Sequence, residues 1–138
     1  MKNQKITLDH VGWITNNPEL FEKFWVDIIG FKKVYESKLS IELSQCLFNI
    51  PSEASCRKYQ LGDMFIEIHV FDLPSERKEL LFNRFGINHI CWHLENRQAF
   101  LKEHNLKAKI YNNPNNYQNI FIQDFEGNWI ELRETFKK

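Results

Sequence analysis

"LDHVGWITNNPELFEKFW" (Leu8–Trp25) and "INHICWHLENRQAFLKEH" (Ile87–His104) are two versions of one pattern. Each sets a histidine, His10 or His89, directly after an Asp or Asn, follows it with a β-branched residue, and places a tryptophan two residues beyond that. The first copy reads as a strand, "ITLDHVGWI", stopped by "TNNP". A helix comes next, with Asn17 as N-cap, Pro18 in the first turn and Gly30 as terminator. Its apolar face is Leu20, Phe21, Phe24, Trp25 and Ile28. The second copy repeats the order, strand "INHICWHL" and then helix "NRQAFLKEHNL".

The segments after each helix repeat as well. In the first half "KKVYES", "SIELSQCLFNI" and "MFIEIHVF" read as strands, and "SEASCRKYQLGD" as a loop between the last two. A connector, partly helical around "SERKELLFNRF", leads to Gly86. In the second half "KAKIY" is extended, "NNPNN" is a turn, and "YQNIFIQD" and "WIELRE" are strands joined by "FEGN". Each half is therefore β-α-β-β-β. The spacing from the marked histidine to the glutamate of the last strand differs (67 − 10 = 57 against 131 − 89 = 42). The extra residues of the first half are placed between about Ser37 and Lys58.

Strand alternation sorts the side chains. Met64, Ile66, Ile68 and Val70 form one face of "MFIEIHVF", fit to lie under a helix; Phe65, Glu67, His69 and Phe71 form the other. In "WIELRE", Ile130 and Leu132 go to the helix side, and Trp129, Glu131 and Arg133 to the opposite side. Glu67 and Glu131 are thus equivalent, as are His10 and His89. A pseudo-twofold relation between the halves would bring two imidazoles and two carboxylates to a common point. That donor set suits one divalent ion (Zn, Ni, Mn, Co or Fe), whose charge two glutamates would balance. Each residue alone has a plainer reading: a strand histidine is commonly structural, and Glu67 could pair with Arg57, Arg133 or a lysine. His69 shares the face of Glu67. His93 reads as structural or rim-exposed, and His104, at a helix end, as solvated. Cys91 lacks the basic partner of a nucleophile.

The composition bounds the partners. With 18 basic and 18 acidic residues among 138, the chain has no basic excess for nucleic acid or an anionic membrane surface. No apolar run approaches a membrane span, and the N-terminus has no apolar signal core. Three cysteines without a CxxC pair point to a reducing, cytoplasmic setting. No GxSxG, P-loop or GxGxxG is present. The length fits a single domain, 1–138, with internal modules at approximately 5–72 and 86–136.

Together "LDHVGWIT…FEKFWVDIIGFKKV", "MFIEIHVF", "GINHICWHLEN" and "FIQDFEGNWIELRE" resemble the vicinal oxygen chelate superfamily, which includes glyoxalase I, methylmalonyl-CoA epimerase, extradiol dioxygenases, and fosfomycin- and bleomycin-resistance proteins. The resemblance spans essentially the whole chain. It implies an α+β fold of paired βαβββ modules, with cupped mixed sheets around a metal held by His10, Glu67, His89 and Glu131. It also implies a homodimer, since members often dimerise. The closing "DFEGNWIEL" resembles the family's Asp-x-x-Gly-Asn-x-x-Glu segment. A His-Glu-His-Glu set is most similar to glyoxalase I. Epimerases usually carry Gln at the position of Glu67, dioxygenases use two His and one Glu, and bleomycin-binding members lack the set. Glutathione-using glyoxalases tend to have an Asn after the strand of the second ligand and an Arg in the first strand. Here those regions read "HVFDLP" and "HVGWIT", so glutathione is not implied. The expected function is a metal-dependent lyase or isomerase acting on a small substrate with vicinal oxygens through an enediolate. Glu131 or Glu67 would be the base, and Phe65, His69, Phe71, Phe121 and Trp129 would line the pocket. The alternatives are an Fe(II) extradiol-type dioxygenase and a non-catalytic binder of the same fold.

Overall fold

The structure is a computed structural model that describes residues 6–72 and 86–134. The chain divides into two compact units, Met1–Glu76 and Arg77–Lys138. The expected connector helix around "SERKELLFNRF" lies outside the described residues.

In the first unit the order is β1 (Val11–Thr15), α1 (Pro18–Trp25), β2 (Lys32–Leu39), α2 (Ile41–Phe48), β3 (Ala54–Leu61) and β4 (Met64–Phe71). The four strands form one sheet in the order β1-β4-β3-β2, parallel between β1 and β4 and antiparallel elsewhere. Helix α1 starts as its sequence dictates: Asn17 Oδ1 accepts the Leu20 N–H at 3.0 Å, and Pro18 occupies the first turn. Phe21, Phe24 and Trp25 on α1, with Phe31, are at most 2% exposed. Phe21 meets the Tyr59 ring at 5.0 Å, Ile66 and Ile68 are buried on the same face of the sheet as Tyr59, and the rings of Trp13 and Trp25 lie 4.7 Å apart. Each such side chain contributes about 1.5–3 kcal/mol on burial.

Two expectations for this unit are corrected. "SIELSQCLFNI" is not a strand but helix α2, and "SEASCRKYQLGD" is not a loop but carries β3. The apolar alternation of Ile41 and Leu43 mimics a strand period. The stronger signals are at the ends: Ser40 Oγ accepts the Leu43 N–H at 3.2 Å, and Asn49 closes the helix in the left-handed region at φ 57°. Helix α2 falls within the Ser37–Lys58 window assigned to the extra residues. Its end, with Phe48 and Ile50, packs on Leu39, Ala54, Cys56 and Phe71, which lie on the face of the sheet away from α1.

The second unit repeats the plan without α2: β5 (His89–Leu94), α3 (Arg97–Glu103), β6 (Lys109–Asn112), β7 (Gln118–Gln123) and β8 (Trp129–Glu134), in the order β5-β8-β7-β6. Ile120, Ile122, Ile130 and Leu132 are at most 1% exposed. Arg97, at the start of α3, is 7% exposed and donates through Nη1 to the carbonyls of Gln118 (2.6 Å) and Leu132 (3.2 Å). The "DFEGN" turn is held by Asp124, whose Oδ1 accepts the N–H groups of Glu126 (2.9 Å) and Asn128 (2.8 Å). Gly127 takes φ +87°, where an L side chain would be strained. This bracket sets the entry into β8, and so the position of Glu131. No helix among the described residues is long and apolar enough to cross a membrane.

Candidate metal centre

In both units the first strand of the module lies beside the last. Gly12 therefore stands opposite Glu67, and Cys91 opposite Glu131. Each histidine sits two residues ahead of that point, close enough for its ring to reach the carboxylate. His10 Nε2 lies 3.7 Å from Glu67 Oε1, and His89 Nε2 lies 3.4 Å from Glu131 Oε2.

The other ring nitrogen fixes the tautomer. His10 Nδ1 is 2.6 Å from Asp9 Oδ2, and His89 Nδ1 is 2.9 Å from Asn88 Oδ1. Both partners are acceptors, so Nδ1 carries the hydrogen in each case. The hydrogen bonds from His10 and Lys58 hold the exposed Asp9 carboxyl below its ordinary value, which keeps it an acceptor. In the neutral rings Nε2 then presents a lone pair to a carboxylate oxygen. Two acceptors face each other, an arrangement that a cation between them satisfies. Two ligands each about 2.1 Å from a tetrahedral ion stand about 3.4 Å apart, close to both observed separations. The donors present therefore fit a divalent ion. The Asp and Asn that precede the histidines do the orienting.

The two glutamates differ in their further partners. Glu131 is 8% exposed at its side chain, and Arg133 Nε donates to its Oε1 at 3.0 Å. Burial pushes its carboxyl up, but the hydrogen bond and charge of Arg133, with the Cys91 thiol, outweigh burial. The carboxyl is held below its ordinary value of 4.5. Glu67 is 20% exposed, and among the described residues no lysine or arginine reaches it. Its other near neighbours are His69, with Nε2 at 3.3 Å from Oε1, and the Cys56 thiol. Cys56, Glu67 and His69 bring one donor atom each within 4.8 Å of one another. Burial, and next the Glu67 charge, push the Cys56 thiol above its ordinary value; burial and Glu131 do the same to Cys91. Neither thiol is a ready nucleophile.

The expected pocket residues take distinct positions. Phe65 lies under the Lys58 ammonium at 4.9 Å, and Phe121 stands edge-on to His89 at 5.0 Å. His69 packs on Phe48 at 4.7 Å, and Phe71 is 3% exposed beneath α2. Trp129 pairs in register with His89. His93 is exposed and opposite Arg133 in register, while His104 ends α3 against Phe100 at 4.9 Å. Cys56 escapes the sequence reading because its segment reads as a loop. Arg133 falls on the correct face by sequence, but only the structure pairs it with Glu131.

Solved structures align with nearly the whole chain. A glyoxalase family protein from Bacillus cereus is 17% identical, covering 96% of this chain and 96% of its own, with a TM-score of 0.74. The chain has the glyoxalase-type fold. A fosfomycin resistance protein from Listeria monocytogenes, solved as a Glu-to-Gln variant with Mn(II) and 1S,2S-dihydroxypropylphosphonic acid, has the same fold. It is 18% identical over 94% of this chain and 93% of its own, with a TM-score of 0.60. A lactoylglutathione lyase from Agrobacterium tumefaciens is 13% identical, with 96% of each chain covered and a TM-score of 0.56. At these identities the likeness to the glyoxalase-type structures is one of fold. No family model and no curated protein matches the sequence.

Proposed function

We propose that this protein is a metal-dependent lyase or isomerase of the glyoxalase I type, acting on a small substrate with two vicinal oxygens. His10, Glu67, His89 and Glu131 hold one divalent ion per chain, the two pairs coming from one chain or from two copies of it. The observation that carries this reading is the repeated pairing of a tautomer-fixed Nε2 with a carboxylate oxygen, at 3.7 Å and 3.4 Å. A divalent ion, when bound, supplies Lewis acidity to both substrate oxygens.

The carboxylates divide the remaining work. Glu131 is pinned by Arg133 and is a poor proton acceptor because its carboxyl is held low, so it serves as a ligand. Glu67 has no fixed cation among the described residues and is the more exposed of the two. It takes the carbon-bound proton and returns it to the neighbouring carbon, a role worth about 10²–10⁴-fold in rate. Phe121, edge-on to His89, and Phe65, beneath Lys58, supply apolar contact to the substrate.

Mn(II) titration of the purified chain tests the site. His10→Ala and His89→Ala each lower affinity by about tenfold or more, since each removes a ligand. His93→Ala and His104→Ala leave it unchanged. Wild-type affinity in both ligand variants would overturn the assignment. Co-expressed His10→Ala and His89→Ala chains regain tight binding only if one site draws on two copies.

A further inference from the structure

The duplication sets a comparison between the two glutamates. On β8, the residue two beyond Glu131 is Arg133, a permanent cation bonded to the carboxylate at 3.0 Å. On β4, the residue two beyond Glu67 is His69, and its Nε2 lies 3.3 Å from Oε1. Directly across the strand pair from His69 stands Cys56. The first unit has thus replaced a guanidinium by an imidazole, while both units set a thiol beside the carboxylate. Among the described residues no lysine or arginine bonds its carboxylate; Lys58, opposite it in register, is paired with Asp9 at 3.1 Å, and α2 covers this face through Phe48. His69 and Cys56 are 9% and 8% exposed. A part-buried carboxylate without a paired fixed cation is unfavourable, and a thiol, an imidazole and a carboxylate within 4.8 Å are a ligand set for a borderline-soft ion.

We infer that Cys56, Glu67 and His69 form a thiolate-containing site for a divalent ion such as Zn(II) or Co(II), built within the first unit alone. Glu67 Oε1 has an imidazole on either hand, His10 at 3.7 Å and His69 at 3.3 Å. The Cys56–His69 side is therefore a second position that shares the carboxylate with the proposed catalytic one and does not depend on it. Binding converts the Cys56 thiol to a metal-bound thiolate and releases one proton to solvent. Mn(II), a hard ion, does not take this position, because thiolate ligation favours softer ions.

The test is Co(II) titration of the full chain, read by near-ultraviolet thiolate-to-Co(II) charge transfer. Wild type shows the band, and so do His89→Ala and Glu131→Gln, whose catalytic site is damaged. The double variant Cys46→Ser/Cys91→Ser keeps it, with Cys56 as the sole thiol. Cys56→Ser and Cys56→Ala lose it, and His69→Ala needs about tenfold or more Co(II) to develop it. Loss of the band in the double variant, or its absence in wild type with Co(II) bound, overturns the inference without disturbing the His10–Glu67–His89–Glu131 site. Failure of the Mn(II) titration with the band intact would overturn that site and leave this one standing.

Discussion

Removing the cation beside Glu131 probes the feature that separates the two modules. In Arg133→Met the aliphatic stem is kept and the 3.0 Å bond from Nε to Oε1 is lost. Breaking a fully buried ion pair costs about 3–5 kcal/mol, and an exposed one is worth about 0.2–1 kcal/mol. Here the carboxylate is 8% exposed and the guanidinium 51%. Solvent screens one end and not the other, so the loss expected at neutral pH lies well below that of a fully buried pair. The assay is urea unfolding with a chelator present, repeated in a Glu131→Gln background, where the charge is gone and Arg133→Met costs clearly less. The pH dependence has a definite sign. A carboxyl whose folded value is lowered contributes stability above its unfolded value, near 4.5, and that stability fades as pH falls through the lower folded value. The Arg133→Met deficit therefore shrinks in acid. A deficit independent of pH, or equal in both backgrounds, would refute the pairing as the cause and leave only lost packing of the arginine stem.

The division of labour between the glutamates predicts that Glu67→Gln, which keeps an oxygen donor, retains Mn(II) while turnover of a 2-oxoaldehyde–thiol adduct falls about 10²–10⁴-fold. Oxygen uptake with catechols under Fe(II), undiminished in Glu67→Gln, would instead favour ring cleavage. Arg97→Met should lower stability by about 2–4 kcal/mol in urea, because it strips donors from the part-buried Gln118 and the buried Leu132 carbonyls. A loss below about 1 kcal/mol would mean that water replaces the guanidinium.

Local pattern misleads over 40–61, and for an identifiable reason. Between Ser40 and Ile50 a short apolar run satisfies a strand period and a helix period at once, and length does not arbitrate. The end residues carry the answer, in the Ser40 cap and the left-handed Asn49. With α2 read as a strand, "SEASCRKYQLGD" has only a loop to form, and Cys56 loses its face.

What the sequence by itself determined is whatever depends on spacing along one strand or one helix turn. Side-chain period places Glu67 with His69 and Glu131 with Arg133, and repetition makes His10 equivalent to His89. Asn17, Pro18 and the aromatic stripe mark α1 wherever it packs. Tertiary structure decided what depends on register between strands distant in the chain. It set Cys56 across from His69, turned the His10 and His89 rings so that Nδ1 meets Asp9 and Asn88, and brought Nε2 to the glutamates. A one-residue slip of β3 against β4 would move Cys56 to the opposite face and remove the thiol from the carboxylate. Register of that kind is settled by which faces are buried beneath α1 and α2, a sum over many side chains that no short motif encodes.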